Sequence, residues 1–348
     1  MRVCKKMRRL LLRAYHLWER IVKESKVFPS HYKNFGWKVA FAAWWDGLIP
    51  PGKTEKYITT IEEFVDCSMN DVIENFKEKE VDEKGCLTVR YTPKKNLTKI
   101  PVWCCWWQGE ESMPELVKMC DKRLKQIIPT DIARLHRITL DNYQEYVDIP
   151  AHILEKFEQK KITMTTLSDI LRFQLLSNYG GFWIDSTVYI SGKIPDDFFQ
   201  KRYFSQKMKN IRDWQREACK GRWCGFLMAG PAHHIIFEYM NMAFATWWEK
   251  YDDIADYVLI DYLLLTGYKC IPAIREAIDH VIPSNEYVFR MYGLLNQPFT
   301  EELYHGLTDD TIFHKLTYKM DLRKRTEAGE NTLYEYLLDK VGMGENES

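Results

Sequence analysis

SDILRFQLLSNYGGFWIDSTV, residues 168–188, decides how the chain is organised. Ile170, Leu171, Phe173, Leu175 and Leu176 make a long apolar run that predicts a helix over 164–179, stopped by Gly180-Gly181. Glycine suits a helix end because it adopts positive φ without the penalty of a Cβ. Phe182–Asp185 then reads as a short buried strand and Val188–Ile190 as the next. Asp169 and Arg172, three apart, project from nearly the same helix face, and Asp185 stands at the strand exit. Helix, glycine turn and strand can therefore bring a cation and carboxylates to one edge of a sheet.

Outward from this segment the pattern is α/β. IPVWCCWW, residues 100–107, is a continuously apolar run of the length of a buried strand. A helix over 114–127, a strand over 133–138 and two short helices around Asn142 and Pro150 follow. Residues 203–207 and 225–229 read as further strands, and helices are expected from His233 onward. Residues 1–95 read as helical. Leu10, Leu11, Ala14, Leu17, Trp18, Ile21 and Val22 recur at three and four on a helix that Pro29 is expected to close. A second apolar stretch, 37–48, ends at Pro50-Pro51-Gly52, and a third helix from about Lys53 sets Tyr57, Ile61, Phe64 and Val65 on one face. Residues 78–99 read as a connector. The expected division is a helical region over 1–95 and an α/β domain over 96–348, helical again from about 291.

The 348 residues carry no net charge, which argues against a dedicated nucleic-acid binder. Charge is concentrated locally, however: nine Lys and Arg stand against two Glu in residues 1–26. Aromatic content is 14% with 12 Trp, side chains that fill cores and also stack on sugars and bases. The nine Cys include no C-x-x-C pair, so structural zinc is not expected. The start lacks a secretory pattern, and no apolar run approaches the ~20 residues of a membrane span. The expected location is cytoplasmic.

Taken together, the residues of 168–188 resemble the signature of the capsular polysaccharide synthesis proteins, S-D-x-x-R-x-x-x-L-x-x-x-G-G-x-[YW]-x-D-x-[DT], with every fixed position met. These proteins are relatives of the family-32 glycosyltransferases and, more distantly, of the clostridial toxin glucosyltransferases. IPVWCCWWQG, residues 100–109, is similar to the opening of those enzymes, and the resemblance runs over about 97–319. It implies a GT-A fold, a Rossmann-like α/β sandwich, and retaining sugar transfer from a nucleotide donor, UDP-linked, with Mn²⁺ or Mg²⁺. It also implies roles. Asp169 would bond ribose or sugar hydroxyls, Arg172 the donor sugar or phosphate, and Asp185 the phosphates and metal. Gly181, with Gly180, would let the helix abut the strand, and Trp106 would stack on uracil. Read singly, each has an ordinary alternative: a surface ion pair, a helix stop, a turn residue, core packing.

Thr187 departs from the wider superfamily's Asp-x-Asp, offering a neutral oxygen where a carboxylate would ligate a hard cation. His314 and Lys315 resemble the C-terminal loop that brings a His ligand or a Lys to the diphosphate, so Asp185, Thr187 and His314 are the candidate metal set, with a partly buried, satisfied histidine as the alternative for His314. Asp261, in DYVLIDY, is a candidate for facing donor or acceptor, with capping as the alternative for it and for Asp256. His233-His234 reads as packing or capping. The basic N-terminal helix suits an anionic membrane face, where a lipid-linked glycan acceptor would lie, or else packs on the catalytic domain. The competing functional readings are transfer to a protein and a catalytically silent binding module.

Overall fold

The computed structural model describes residues 2–49, 52–88, 92–195, 198–199, 202–210 and 214–343, with side chains from residue 12 onward except 13. The elements in chain order are α1 (Arg2–Leu48), α2 (Glu55–Ser68), α3 (Asn70–Phe76), β1 (Ile100–Cys105), α4 (Glu115–Ile127) and β2 (Ala133–Ile138). Then come α5 (Ala151–Glu158), α6 (Met164–Tyr179), β3 (Gly181–Ile184), β4 (Val188–Ile190), β5 (Phe204–Ser205) and β6 (Leu227–Gly230). The chain continues through α7 (Ile235–Lys250), α8 (Leu259–Cys270), α9 (Pro272–Asp279), α10 (Glu301–Thr308), β7 (Phe313–Lys315) and α11 (Leu333–Lys340).

Five strands form a mixed sheet in the order β2-β1-β3-β6-β5. β1 is parallel to both β2 and β3, while β6 runs antiparallel to β3 and β5 antiparallel to β6. From β1 the chain passes through α4 to β2 on one side, and from β2 through α5 and α6 to β3 on the other side of β1. The order therefore reverses between β1 and β3. Such a reversal opens a crevice beyond the carboxyl ends of the two strands, because their connections leave in opposite directions. Trp103 and Trp183, in register on β1 and β3, are fully buried beneath it. Fully buried side chains of this size contribute about 1.5–3 kcal/mol or more each to holding the layers together.

α6 packs on β1 and β3 and along α7, and α2 and α3 pack on α8 and α7. Tyr57, Ile58, Ile61 and Val65 of α2 join the same core as the sheet. The helix-forming tendency of the N-terminal segment is as read, but its break is elsewhere. Pro29 lies inside α1, and the non-helical residue is Gly36, at φ 78°, ψ 178°. There the two arms fold back on one another, so that Trp44 Nε1 donates to Ser25 Oγ at 3.2 Å. Pro29 costs one backbone bond, whereas reversing the chain needs positive φ, which glycine supplies. The Pro50-Pro51 stop lies outside the described residues.

The C-terminal region holds a strand where the sequence implies a loop. β7 pairs antiparallel with β4, matching Val188 with Lys315, Tyr189 with His314 and Ile190 with Phe313. This ribbon, α4 and the C-terminal helices share a second apolar cluster that includes Leu116, Tyr189, Tyr304, Leu333 and Leu337.

Candidate functional site

A cavity of about 690 Å³ lies at the crevice between β1 and β3. Asp169, Arg172, Asp185, Thr187, Asp261, Trp106 and Lys315 all line it. Residues from distant parts of the sequence meet there because α6, β3, β7 and α8 all end or begin at this edge.

The centre is a chain of alternating charges. Arg172 Nη1 donates to Asp169 Oδ1 at 2.9 Å and Nη2 to Asp185 Oδ1 at 3.3 Å. Lys315 Nζ donates to Asp185 Oδ2 at 2.6 Å and to Thr187 Oγ1 at 2.8 Å. Trp183 Nε1 adds a donor to Asp185 Oδ1 at 2.9 Å, and the guanidinium lies over that indole at 4.9 Å. The Arg172 side chain is 5% exposed, so its charge has little water to lean on and depends on these carboxylates. Asp185 itself is fixed by its backbone N–H donating to Phe226 O at 2.9 Å.

Environment separates the three carboxyls. Burial alone would raise Asp185, but Lys315 and Arg172 outweigh it and hold the group well below the ordinary carboxylate range. Burial pushes Asp169 up to about 6 against the pull of Arg172. It pushes Asp261 up to about 7, although Trp223 Nε1 donates to its Oδ1 at 2.9 Å. The site thus holds one firmly ionised carboxylate and two that can carry a proton near neutrality. Groups of the second kind can donate to or accept from sugar hydroxyls.

Trp106 sits at the rim, half-buried, with Nε1 donating to Ser112 Oγ at 2.8 Å and its ring edge-on to Tyr318 at 5.6 Å. Beside it, Trp107 locks the start of the site by donating to Ser168 Oγ at 2.7 Å.

Two of the expected site residues lie elsewhere. Gly181 begins β3, at the opposite end of the strand from Asp185, and lines a different groove. Its φ is +90°, and an added Cβ would lie 2.2 Å from Pro101 O, so its place is in strand packing rather than ligand contact. His314 is adjacent to Lys315 in a strand, and strand alternation turns it to the other face. It is fully buried, with Nε2 3.1 Å from Ser191 Oγ, and burial lowers its pKa to about 4.

The candidate metal set therefore does not assemble. His314 points away, Thr187 is neutral, and both oxygens of Asp185 are already occupied by donors. Among the described residues no group of three or more His, Cys, Asp or Glu is arranged to hold a metal ion. A hard divalent cation takes six or more oxygens, and these side chains do not fit one.

Asp256 is outside the cavity, accepting from Tyr57 Oη at 2.6 Å and from Val258 N at 2.8 Å. His234 caps α7 by accepting from Ile236 N, and His233 pairs with Glu238 at 2.9 Å. Asp256 takes the structural role offered as its alternative, and His234 the capping role in which it was read.

The sequence reading missed Trp214, Glu217, Trp223, Phe289, Tyr292 and Lys319, which also line the cavity. For the four aromatic residues the only signal was aromatic abundance, which does not locate a side chain, and Glu217 and Lys319 carried no signal at all. Glu217 pairs with Lys53 at 2.6 Å, linking the segment before α2 to the wall of the site. A larger groove of about 870 Å³ lies near Lys95, Pro101, Tyr179 and Arg202, at the other edge of the sheet. It gathers no comparable set of buried charges.

No helix among the described residues is long and apolar enough to cross a membrane. In comparisons with known proteins, no curated protein and no solved structure matches the chain. The family described as capsular polysaccharide synthesis protein matches residues 55–337, from α2 into α11 and so across the whole sheet and every residue of the cavity centre. The chain belongs to the capsular polysaccharide synthesis protein family.

Proposed function

We propose that the protein is a glycosyltransferase with a GT-A-like domain, related to the family-32 enzymes. It moves a sugar from a nucleotide-sugar donor, UDP-linked, to a capsular or other surface polysaccharide, with retention of configuration. Family membership supports a place in capsule synthesis. The observation that carries the finer reading is the Asp169–Arg172–Asp185–Lys315 chain at the carboxyl ends of β1 and β3.

The chemistry asks for such a chain. As the bond from the anomeric carbon to the diphosphate breaks, negative charge grows on the departing oxygen. Preorganised cations in a partly dry site stabilise that charge more than water does. Lys315 and the edge of Arg172 supply them. Asp185 aligns both, Asp169 and Asp261 meet ribose and sugar hydroxyls, and the Trp106–Tyr318 pair at the rim accepts the uracil face.

A thermal-shift screen against UDP-, GDP- and CMP-sugars tests this. One donor is expected to raise the melting temperature by several degrees at saturating concentration, through preferential binding to the folded state. Asp185→Ala should lose the shift. No shift with any donor at millimolar concentration would leave a silent binding module as the better reading.

The acceptor on this reading is lipid-linked and is met at the cytoplasmic face of the inner membrane. The first arm of α1 supports this. Leu12, Tyr15, Trp18 and Ile21, spaced by three, are exposed, as are Trp37 and Trp45 of the second arm. The basic residues 2, 5, 6, 8, 9 and 13 lie outside the described side chains. Apolar and aromatic groups beside Lys and Arg match an anionic interface. Full-length protein is expected to sediment with phosphatidylglycerol vesicles and to stay in solution with phosphatidylcholine. Equal sedimentation by a chain lacking residues 1–26 would reject this arm as the anchor.

A further inference from the structure

We infer that sugar transfer at this site runs without a divalent metal, the Lys315 ammonium holding the cation position between Asp185 and Thr187. This rests on the glycosyltransferase reading above and narrows it.

The two oxygens that an Asp-x-Thr turn would offer a metal, Asp185 Oδ2 and Thr187 Oγ1, both accept from one nitrogen, Lys315 Nζ, at 2.6 and 2.8 Å. The lysine is built into this place. Its strand pairs Lys315 with Val188, its backbone N–H donates to Val288 O at 2.7 Å, and Leu316 N donates to Thr187 O at 2.9 Å. Nζ also lies 5.3 Å from the centre of the Phe226 ring, whose face favours a cation. The second oxygen of Asp185 is taken by Arg172 and Trp183. A divalent ion entering here would have to displace an ammonium and would then find one carboxylate and a hydroxyl.

Thr187 makes sense in the same terms. A single positive charge between Asp185 and a second Asp would leave the turn with surplus negative charge facing an incoming diphosphate. With threonine the ammonium is matched by one carboxylate and keeps a proton for the phosphate. In the transfer step the anomeric carbon–oxygen bond breaks with its electron pair going to the diphosphate. The acceptor hydroxyl oxygen bonds to the anomeric carbon, and the hydroxyl proton passes to the released diphosphate. Lys315 faces that oxygen as its charge develops and is not consumed.

The test uses the full chain, stripped with EDTA, with UDP and GDP as probes in thermal shift and the preferred nucleotide-sugar in a turnover assay. Nucleotide binding and turnover are expected to agree within about twofold between EDTA and millimolar Mn²⁺ or Mg²⁺. Lys315→Met should lower turnover by roughly 10²–10³-fold, the usual effect of losing one preorganised donor, and Lys315→Arg should recover part of it. Circular dichroism of the Met variant separates loss of the charge from loss of the fold. Should Lys315→Met unfold, the EDTA comparison on the unaltered chain decides alone. Binding or turnover that appears only with metal would overturn the metal-free step and leave the transferase reading standing. Absence of nucleotide binding in every buffer would overturn both.

Discussion

Arg172→Met is expected to destabilise the fold by about 3–5 kcal/mol and to abolish activity, because it removes the shared partner of two carboxylates in a buried site. The side chain is 5% exposed and bridges Asp169 and Asp185. Asp185 would retain Lys315 and Trp183, so the larger part of the loss falls on Asp169. That assignment gives the effect a pH dependence with a definite sign. Burial already holds the folded-state pKa of Asp169 near 6, above its unfolded value, so ionising it costs stability as pH rises from about 4 through 6. Without Arg172 the folded-state pKa rises further and the cost continues to grow beyond pH 7. Urea unfolding at pH 5.5 and 8.0 measures this, with the larger deficit expected at pH 8.0. A loss below about 1 kcal/mol, or one equal at the two pH values, would mean that the guanidinium is not paired as described.

Gly181→Ala should be comparably severe for a different reason. The new Cβ would lie 2.2 Å from the carbonyl oxygen of Pro101, on the neighbouring strand, at a φ of +90°. Backbone cannot swing aside as a flexible side chain can. Overpacking of about 1–3 kcal/mol adds to about 1–2 kcal/mol of left-handed strain. Gly109 provides the control: its φ is +82°, but nothing lies within 4 Å of an added methyl, so Gly109→Ala should show the strain alone. The comparison of urea midpoints isolates the contact between β1 and β3. Relief of that contact by parting the two strands would also move Asp185, so activity should fall more in the residual folded Gly181→Ala protein than in Gly109→Ala. Equal destabilisation by the two changes would contradict the strand packing.

Much of the fold follows from local chemistry. The helix over 164–179 ends where the glycines stand, and the strands over 100–105, 133–138 and 188–190 occupy the apolar runs that predicted them. The family signature in 168–188 is likewise written in consecutive residues, and membership over 55–337 agrees with it. Boundaries were less legible where two breakers compete: Pro29 is the stronger helix breaker in general, yet Gly36 turns the chain.

Non-local features were hidden. β7 is three residues long and gains its identity from β4, more than a hundred residues earlier. Neither stretch has a pattern that names the other. The face on which a residue falls was hidden for the same reason. His314 was a candidate for the metal and Lys315 for the diphosphate, and only the register against β4 buries the first and delivers the second to Asp185.

By itself, then, the sequence determined the α/β class, the glycine-ended helix, and the presence of Asp169, Arg172 and Asp185 at one sheet edge. All three stand within seventeen consecutive residues, carried by one helix, its glycine stop and the strand that follows. Tertiary structure alone decided what completes the site. Long-range pairing brings Lys315 between Asp185 and Thr187 and turns His314 away, and such pairing depends on packing that no short stretch of sequence encodes.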